Sequence, residues 1–250
     1  MTAVNDAKGR GSLGTVRNAV LLLELLGQGP AYQQLTDLAE RSGMSVPTVH
    51  RLLRSLVLAD LVHQDPRSSR YSLGPELTRL SHRYLSRHPL LAALTPYLPG
   101  LPALVGGTVS VQMLVRGETV YADHADGPDS GPYRDSHRVH PALHTAGGRL
   151  IAARGGEEIW QQALQSCGPQ TAQLADDARQ DWAGADWLAA EGPDPVHAGE
   201  VAVPVVDATG ATVAALSAAV EDPADESACA AVAAHLTKAA RAAGRALGNG

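Results

Sequence analysis

Side chains able to ligate a metal, attack a carbonyl or read a base edge are sparse in this sequence, and their spacing decides which chemistry is open to each. His124, His137, His140 and His144 gather in one stretch. A metal centre needs three or four ligands converging at about 2.0–2.2 Å. The one helical spacing among them, His140 to His144, is interrupted by Pro141, so they read as loop or core histidines and no metal is expected. The two cysteines, Cys167 and Cys229, form no close pair, so neither a zinc knuckle nor a disulfide framework is suggested. Cys167, beside Gly168-Pro169, could act as a nucleophile or redox sensor, but an unpaired cysteine is more simply a small buried side chain. No G-x-S-x-G, H-E-x-x-H or P-loop occurs, and no G-x-G-x-x-G follows a strand. Neither a catalytic residue nor a cofactor is expected.

The stretch from Met44 to Leu56, MSVPTVHRLLRSL, offers a different chemistry. Ser45 suits a helix N-cap, Pro47 is tolerated in the first turn, and Val49, Leu52, Leu53 and Leu56 form an i, i+3, i+4, i+7 stripe. Pro47, Thr48, His50, Arg51, Arg54 and Ser55 are left on the other face. A helix that reads DNA is held from behind by such a stripe, while short polar side chains near its start enter the major groove and cations grip phosphate. Ser45, Thr48 and His50 would face bases, Arg51 a guanine edge or a phosphate, and Arg54 the backbone. The plainer alternative is a solvated helix face carrying two arginines.

The surrounding elements decide between the two. A helix is expected over Thr15 to Leu26, with Val16, Val20 and Leu23 on its apolar face, and a shorter one near Gln33 to Ser42, ended by Gly43. After the third helix, residues 61–64 and 70–73 read as strands around the turn 65–69, which places Arg67 and Arg70 on a wing within reach of phosphate or the minor groove. Helix, short helix, turn, helix, hairpin is a winged helix-turn-helix. A helix from about Pro75 to Arg87 then links two domains. Beyond it, residues 108–115 and 119–123 form a hairpin about Arg116-Gly117-Glu118. Residues 126–137 form a loop, and Ile151 to Leu164 a helix. Residues 200–206 and 212–217 are strands around Asp207 to Gly210, and Asp222 caps a last helix with Pro223 at its first position and Gly248 at its end. Strands and helices segregated in this way indicate an α+β domain. The domain map is a disordered tail at 1–12, a DNA-binding domain at 13–74, a linker helix at 75–88 and a sensory domain at 89–250.

Composition agrees. Of 250 residues, 44% are apolar, enough for real cores, and no apolar run approaches the ~20 residues of a membrane span. Without a secretory segment the cytoplasm is the default. Residues 1–88 hold 11 Arg and Lys against 7 Asp and Glu, whereas residues 89–250 hold 9 against 19, so only the first part suits a polyanion.

LTDLAERSGMSVPTVHRLLRSLVLADLV, YSLGPEL, PALHTAGGRLIAA and VAVPVVDATGATVAALS, in that order, resemble the IclR family of bacterial transcriptional regulators over roughly residues 13 to 247. The resemblance implies a winged helix-turn-helix, a linker helix and a GAF-like domain that binds a small, often acidic effector, with homodimers or dimers of dimers on palindromic operators. It also implies an effector site at Ala146, Gly147, Gly148, Glu200, Ser217 and Ala219. Glu200 stands where the family pattern has Cys, and Ala219 where it has a second Ser. A buried carboxylate repels an anion and needs a partner itself. The effector is therefore expected to be neutral or cationic, or the site to be occluded, unless a shifted register turns Glu200 to solvent.

The expectation is a repressor that binds double-stranded operator DNA under control of an effector, pairing through the first helix and the linker helix near Leu77, Leu80 and Tyr84. The alternative is a metabolite-binding protein whose DNA contact is vestigial or partner-controlled.

Overall fold

The computed structural model describes residues 4–128, 139–192 and 199–247, with side chains from Gly14 onward among these. The chain forms two compact units, Met1–Leu85 and Ser86–Gly250.

The first unit runs α1 (Val4–Gln28), α2 (Leu35–Ser42), α3 (Val46–Leu58), β1 (Val62–Gln64), β2 (Tyr71–Leu73) and α4 (Glu76–Leu85). Val49, Leu52, Leu53 and Leu56 of α3 are all buried, together with Leu38 and Ala39 of α2 and Val62 and Tyr71 of the hairpin. α1 differs from expectation twice. Its core face is Leu22, Leu25 and Leu26, whereas Val16 is 65% exposed and Val20 41%. The leucine-rich run carries two apolar stripes, and periodicity alone cannot say which one faces inward. The helical backbone also extends back to Val4, through most of the stretch expected as a tail, because propagating a helix is far easier than nucleating one.

Gln33, expected to begin the second helix, is instead buried and extended. Its backbone pairs both ways with Tyr71 at 2.8 Å. Its Nε2 donates to the carbonyls of Leu25 and Leu26 at 2.9 and 3.2 Å, satisfying the end of α1, and its Oε1 accepts from Arg41 Nη1 at 2.6 Å. Gly43 follows α2 at φ +67°, a left-handed conformation that turns the chain sharply into α3. The helix expected to link two domains is α4, which lies within the first unit.

The second unit contains α5 (Pro89–Leu94), α6 (Leu101–Val105), β3 (Val109–Val115), β4 (Glu118–Ala125), β5 (Val139–Pro141), α7 (Ala146–Arg154), α8 (Glu157–Gln165), α9 (Pro169–Gly184), β6 (Leu188–Glu191), β7 (Gly199–Val206), β8 (Thr212–Val220) and α10 (Glu226–Leu247). The six strands form one antiparallel sheet in the order β5-β4-β3-β8-β7-β6. α7 packs on β3, β6, β7 and β8, and α10 on β7 and β8. Successive side chains of β7 point to opposite faces, and Glu200 through Val203 are all buried, so both faces of this strand are covered. The architecture is α+β.

Two expectations are corrected here. The helix expected over Ile151 to Leu164 is two helices, α7 and α8, parted at Gly155-Gly156, where a helical backbone is hardest to hold. The last helix is capped by Asp225, whose Oδ1 accepts the N–H of Ala228 at 3.0 Å, and not by Asp222, whose Oδ1 accepts from Ala224 at 2.8 Å in the turn before it. Either aspartate has the chemistry of a cap, and the turn decides which one is used. Residues 129–137 of the expected loop, with His137, and Gly248 lie outside the described residues.

Candidate functional site

Two groups of side chains carry the candidate chemistry. The first is the outer face of α3 and the hairpin after it. Apolar anchoring fixes the rotation of α3, so its other residues must point outward: Ser45, Pro47, His50, Arg51, Arg54 and Ser55 are exposed and Thr48 is half-buried. Ser45 has the extended backbone of an N-cap, but its hydroxyl makes no bond to the helix amides. It pairs with Thr48 Oγ1 at 2.8 Å, so the expected side-chain cap is replaced by a hydroxyl pair at the rim. The side chains of His50, Arg51, Arg54, Arg67 and Arg70 make no hydrogen bond or ion pair to the protein among the described residues.

Arg67 and Arg70 are exposed on the β1–β2 turn, which Asp65 holds in shape. Its carboxylate accepts the N–H of Arg67 and of Ser68, each at 3.1 Å, and the hydroxyl of Ser68 at 2.5 Å. The Ser68 hydrogen bond, then that of Arg67, lowers the Asp65 pKa. Fixed cations on a shaped turn beside an anchored helix can contact phosphate and base edges together.

The second group lies on the face of the sheet that α7 covers. Cross-strand pairing puts Glu200 opposite Ala219 and Ser217 opposite both Ala202 and Ser110, while Gln112 pairs with Ala215. Glu200, Ser217, Ala219 and Gln112 therefore share a face, and the register turns Glu200 inward, to 6% exposure. Its Oε1 accepts the N–H of Ala146, the first residue of α7. Its Oε2 accepts from Gln112 Nε2 at 2.9 Å, which also donates to Ser217 Oγ at 2.9 Å. Burial raises the Glu200 pKa, against the lowering effects of Gln112, the amides of Ala146 and Gly147, and the charge of Arg149. Burial is in turn the main influence that lowers the pKa of Arg149, whose Nε donates to Leu143 O at 2.9 Å.

Of the six residues expected at the effector site, Ala146, Gly147, Glu200 and Ser217 meet in this network. The Gly148 amide is taken by the Thr145 side chain at 3.0 Å, and Ala219 enters only as the cross-strand neighbour of Glu200. Gln112, Thr145 and Arg149 were not anticipated. Gln112 was legible as a long polar side chain in a strand otherwise apolar but for Ser110, and Thr145 as a cap-type residue before Ala-Gly-Gly. A separate concavity of about 610 Å³, lined by Arg154, Asp186, Thr237, Arg241 and Arg245 among others, shares none of these residues. No group of three or more His, Cys, Asp or Glu among the described residues could hold a metal ion.

Residues 15–66 match the model of the IclR helix-turn-helix domain. The N-terminal unit is a helix-turn-helix domain of the IclR family. Similarity to IclR-family proteins extends further along the chain. The Glycerol operon regulatory protein of Streptomyces griseus is 32% identical over 143 residues, 57% of this chain and 56% of that protein, so the match spans little more than half the length of this relative. Among solved structures, an IclR family transcriptional regulator from Brucella abortus is 19% identical with a TM-score of 0.77, over 92% of this chain and 90% of that one. An IclR homolog from Microbacterium hydrocarbonoxydans, complexed with 4-hydroxybenzoate, is 20% identical with a TM-score of 0.64, over 93% and 98%. At these identities the structures establish the fold, and it is the IclR fold in both units. Among the described residues no helix is long and apolar enough to cross a membrane.

Proposed function

We propose that this protein is a transcriptional regulator that binds operator DNA sequence-specifically, acts as a repressor, and is modulated by a small molecule in its C-terminal unit. The observation that carries this reading is the rim of α3. In an IclR-type helix-turn-helix domain, His50, Arg51 and Arg54 stand exposed and unpaired among the described residues, on a helix whose opposite face is locked into the core. Unpaired cations on a rigid helix bind phosphate by releasing counterions, and the short side chains ahead of them can meet base edges. Ser45, Pro47, Thr48, His50, Arg51 and Arg54 form the reading face in this proposal, and Arg67 and Arg70 the wing contacts.

One such helix offers few phosphate contacts. A symmetric pair doubles them and sets the spacing of a palindromic site. The exposed apolar side chains of α1 (Val16, Val20) and α4 (Leu80, Tyr84) favour a homodimer through these helices, with a dimer of dimers as the larger assembly. Ala146, Gly147, Gly148, Glu200, Ser217 and Ala219 are the effector-site residues of the proposal. An IclR homolog of the same fold carrying 4-hydroxybenzoate supports a small-molecule effector. Effector binding would shift operator affinity by a coupling of about 1–3 kcal/mol. Catalysis, a cofactor and a metal have no part in the reading, and the cytoplasm is its setting.

Fluorescence anisotropy with a duplex from the region upstream of the protein's own gene, against a scrambled duplex of equal length, tests the proposal. A preference of at least about 10³-fold is expected. Equal affinity for both duplexes refutes sequence-specific regulation.

A further inference from the structure

The start of α7 is built to hold an anion, and the chain supplies that anion itself. The first-turn amides are turned to partners from within the molecule. Ala146 donates to Glu200, Gly148 donates to Thr145 Oγ1 at 3.0 Å, Arg149 donates to Thr145 O at 3.0 Å, and the Gly147 amide lowers the Glu200 pKa. The free amides and the dipole of a helix start favour negative charge.

Gln112 is an independent sign of the same polarity. It is fully buried, and both N–H bonds of its amide are committed, to Glu200 Oε2 and Ser217 Oγ at 2.9 Å each. Its Oε1 is buried without a hydrogen-bond partner and lies against Gly147, where a Cβ would come within 2.0 Å of it. An amide turned so that its nitrogen faces the carboxylate while its oxygen goes unsatisfied is oriented by a negative charge. A neutral occupant would let it turn over and relieve the orphan acceptor.

We infer that Glu200 is the resident ligand of a carboxylate-specific seat at the start of α7, and that it bars anionic effectors from this position. The consequence for regulation rests on the proposed function. The assignment of the seat does not. Any effector that acts here in the native protein must be a hydrogen-bond donor, neutral or cationic, that adds to the Glu200 carboxylate. Glu200→Ala keeps Cβ and removes a methylene and a carboxylate, which together are the size of acetate. The substitution should therefore convert a filled seat into an acetate site.

The test compares full-length wild type, Glu200→Ala and Glu200→Gln by thermal unfolding in sodium acetate, formate, propionate or chloride at one ionic strength and pH. Glu200→Ala is expected to be stabilised saturably by acetate, by about 3–5 °C at ten times the dissociation constant, more than by formate or propionate. Wild type and Glu200→Gln, whose seats stay filled, should respond to acetate as to chloride. The inference is overturned if Glu200→Ala does not distinguish acetate from chloride, if propionate outperforms acetate, or if wild type or Glu200→Gln binds acetate saturably. Should Glu200→Ala be insoluble, its yield on refolding from urea in acetate and in chloride decides. A higher yield in acetate supports the seat, and equal yields contradict it. Failure of wild type to bind the upstream duplex refutes the proposed function alone and leaves the seat untouched.

Discussion

A buried carboxylate is costly unless its surroundings answer for its charge, and Glu200 shows both sides of that balance. Burial comes first and raises its pKa, while Gln112, the α7 amides and Arg149 lower it without fully compensating. The sign for stability follows from linkage. A folded pKa above the unfolded value means that the folded state holds its proton longer, so stability is lost as pH rises from the ordinary glutamate pKa to the folded one. Glu200→Gln does not titrate. Wild type is therefore expected to lose stability relative to Glu200→Gln as pH rises above the ordinary glutamate pKa, read as urea midpoints. Parallel midpoints over that range would contradict the burial of an ionising Glu200. At the reading face the logic is the reverse. Arg51 and Arg54 are exposed and unpaired among the described residues, so their loss should leave the fold intact and act only on binding.

At the scale of elements, α7 is where local chemistry and tertiary fit must agree. A Cβ on Gly148 would stand 2.2 Å from the backbone oxygen of Ala142 and 2.3 Å from Thr119 Oγ1. Gly148→Ala is expected to cost about 1–3 kcal/mol of stability by chemical denaturation. A loss below about 0.5 kcal/mol would show that this approach is not as tight as described. How much was legible varied with the element. α3 was read correctly because a single apolar stripe and a single polar face marked it, and β7 and β8 were found as strands because the Asp207 to Gly210 turn separates them, while the facing of Glu200 was left open. α1 was misread because two leucine- and valine-rich stripes compete, and the break at Gly155-Gly156 was overrun although two adjacent glycines announced it. The expected placement of Glu200 near Ala146 came from family likeness. Periodicity alone could not supply it, because strand register against a helix is a tertiary property. Gln112 was overlooked for the same reason: its role depends on a residue 88 positions away.

At the scale of the molecule, the exposed apolar side chains of α1 and α4 and the division of charge bear on assembly and partner. Val16 and Tyr84 are 65% and 58% exposed, in a unit whose reading helix carries free cations. In the proposed homodimer these side chains form the pairing surface. Val20→Asp combined with Leu80→Asp is expected to shift the protein towards monomer in sedimentation velocity and to weaken duplex binding at least tenfold. Unchanged sedimentation would place the pairing surface elsewhere. The most direct test of the central claim, that the rim of α3 lies on DNA, is the salt dependence of duplex binding by wild type and Arg51→Ala. The account predicts binding that falls steeply with salt and a logarithmic slope reduced by about one per lost phosphate contact in Arg51→Ala, with thermal stability unchanged. Identical slopes and affinities for the two proteins would contradict it.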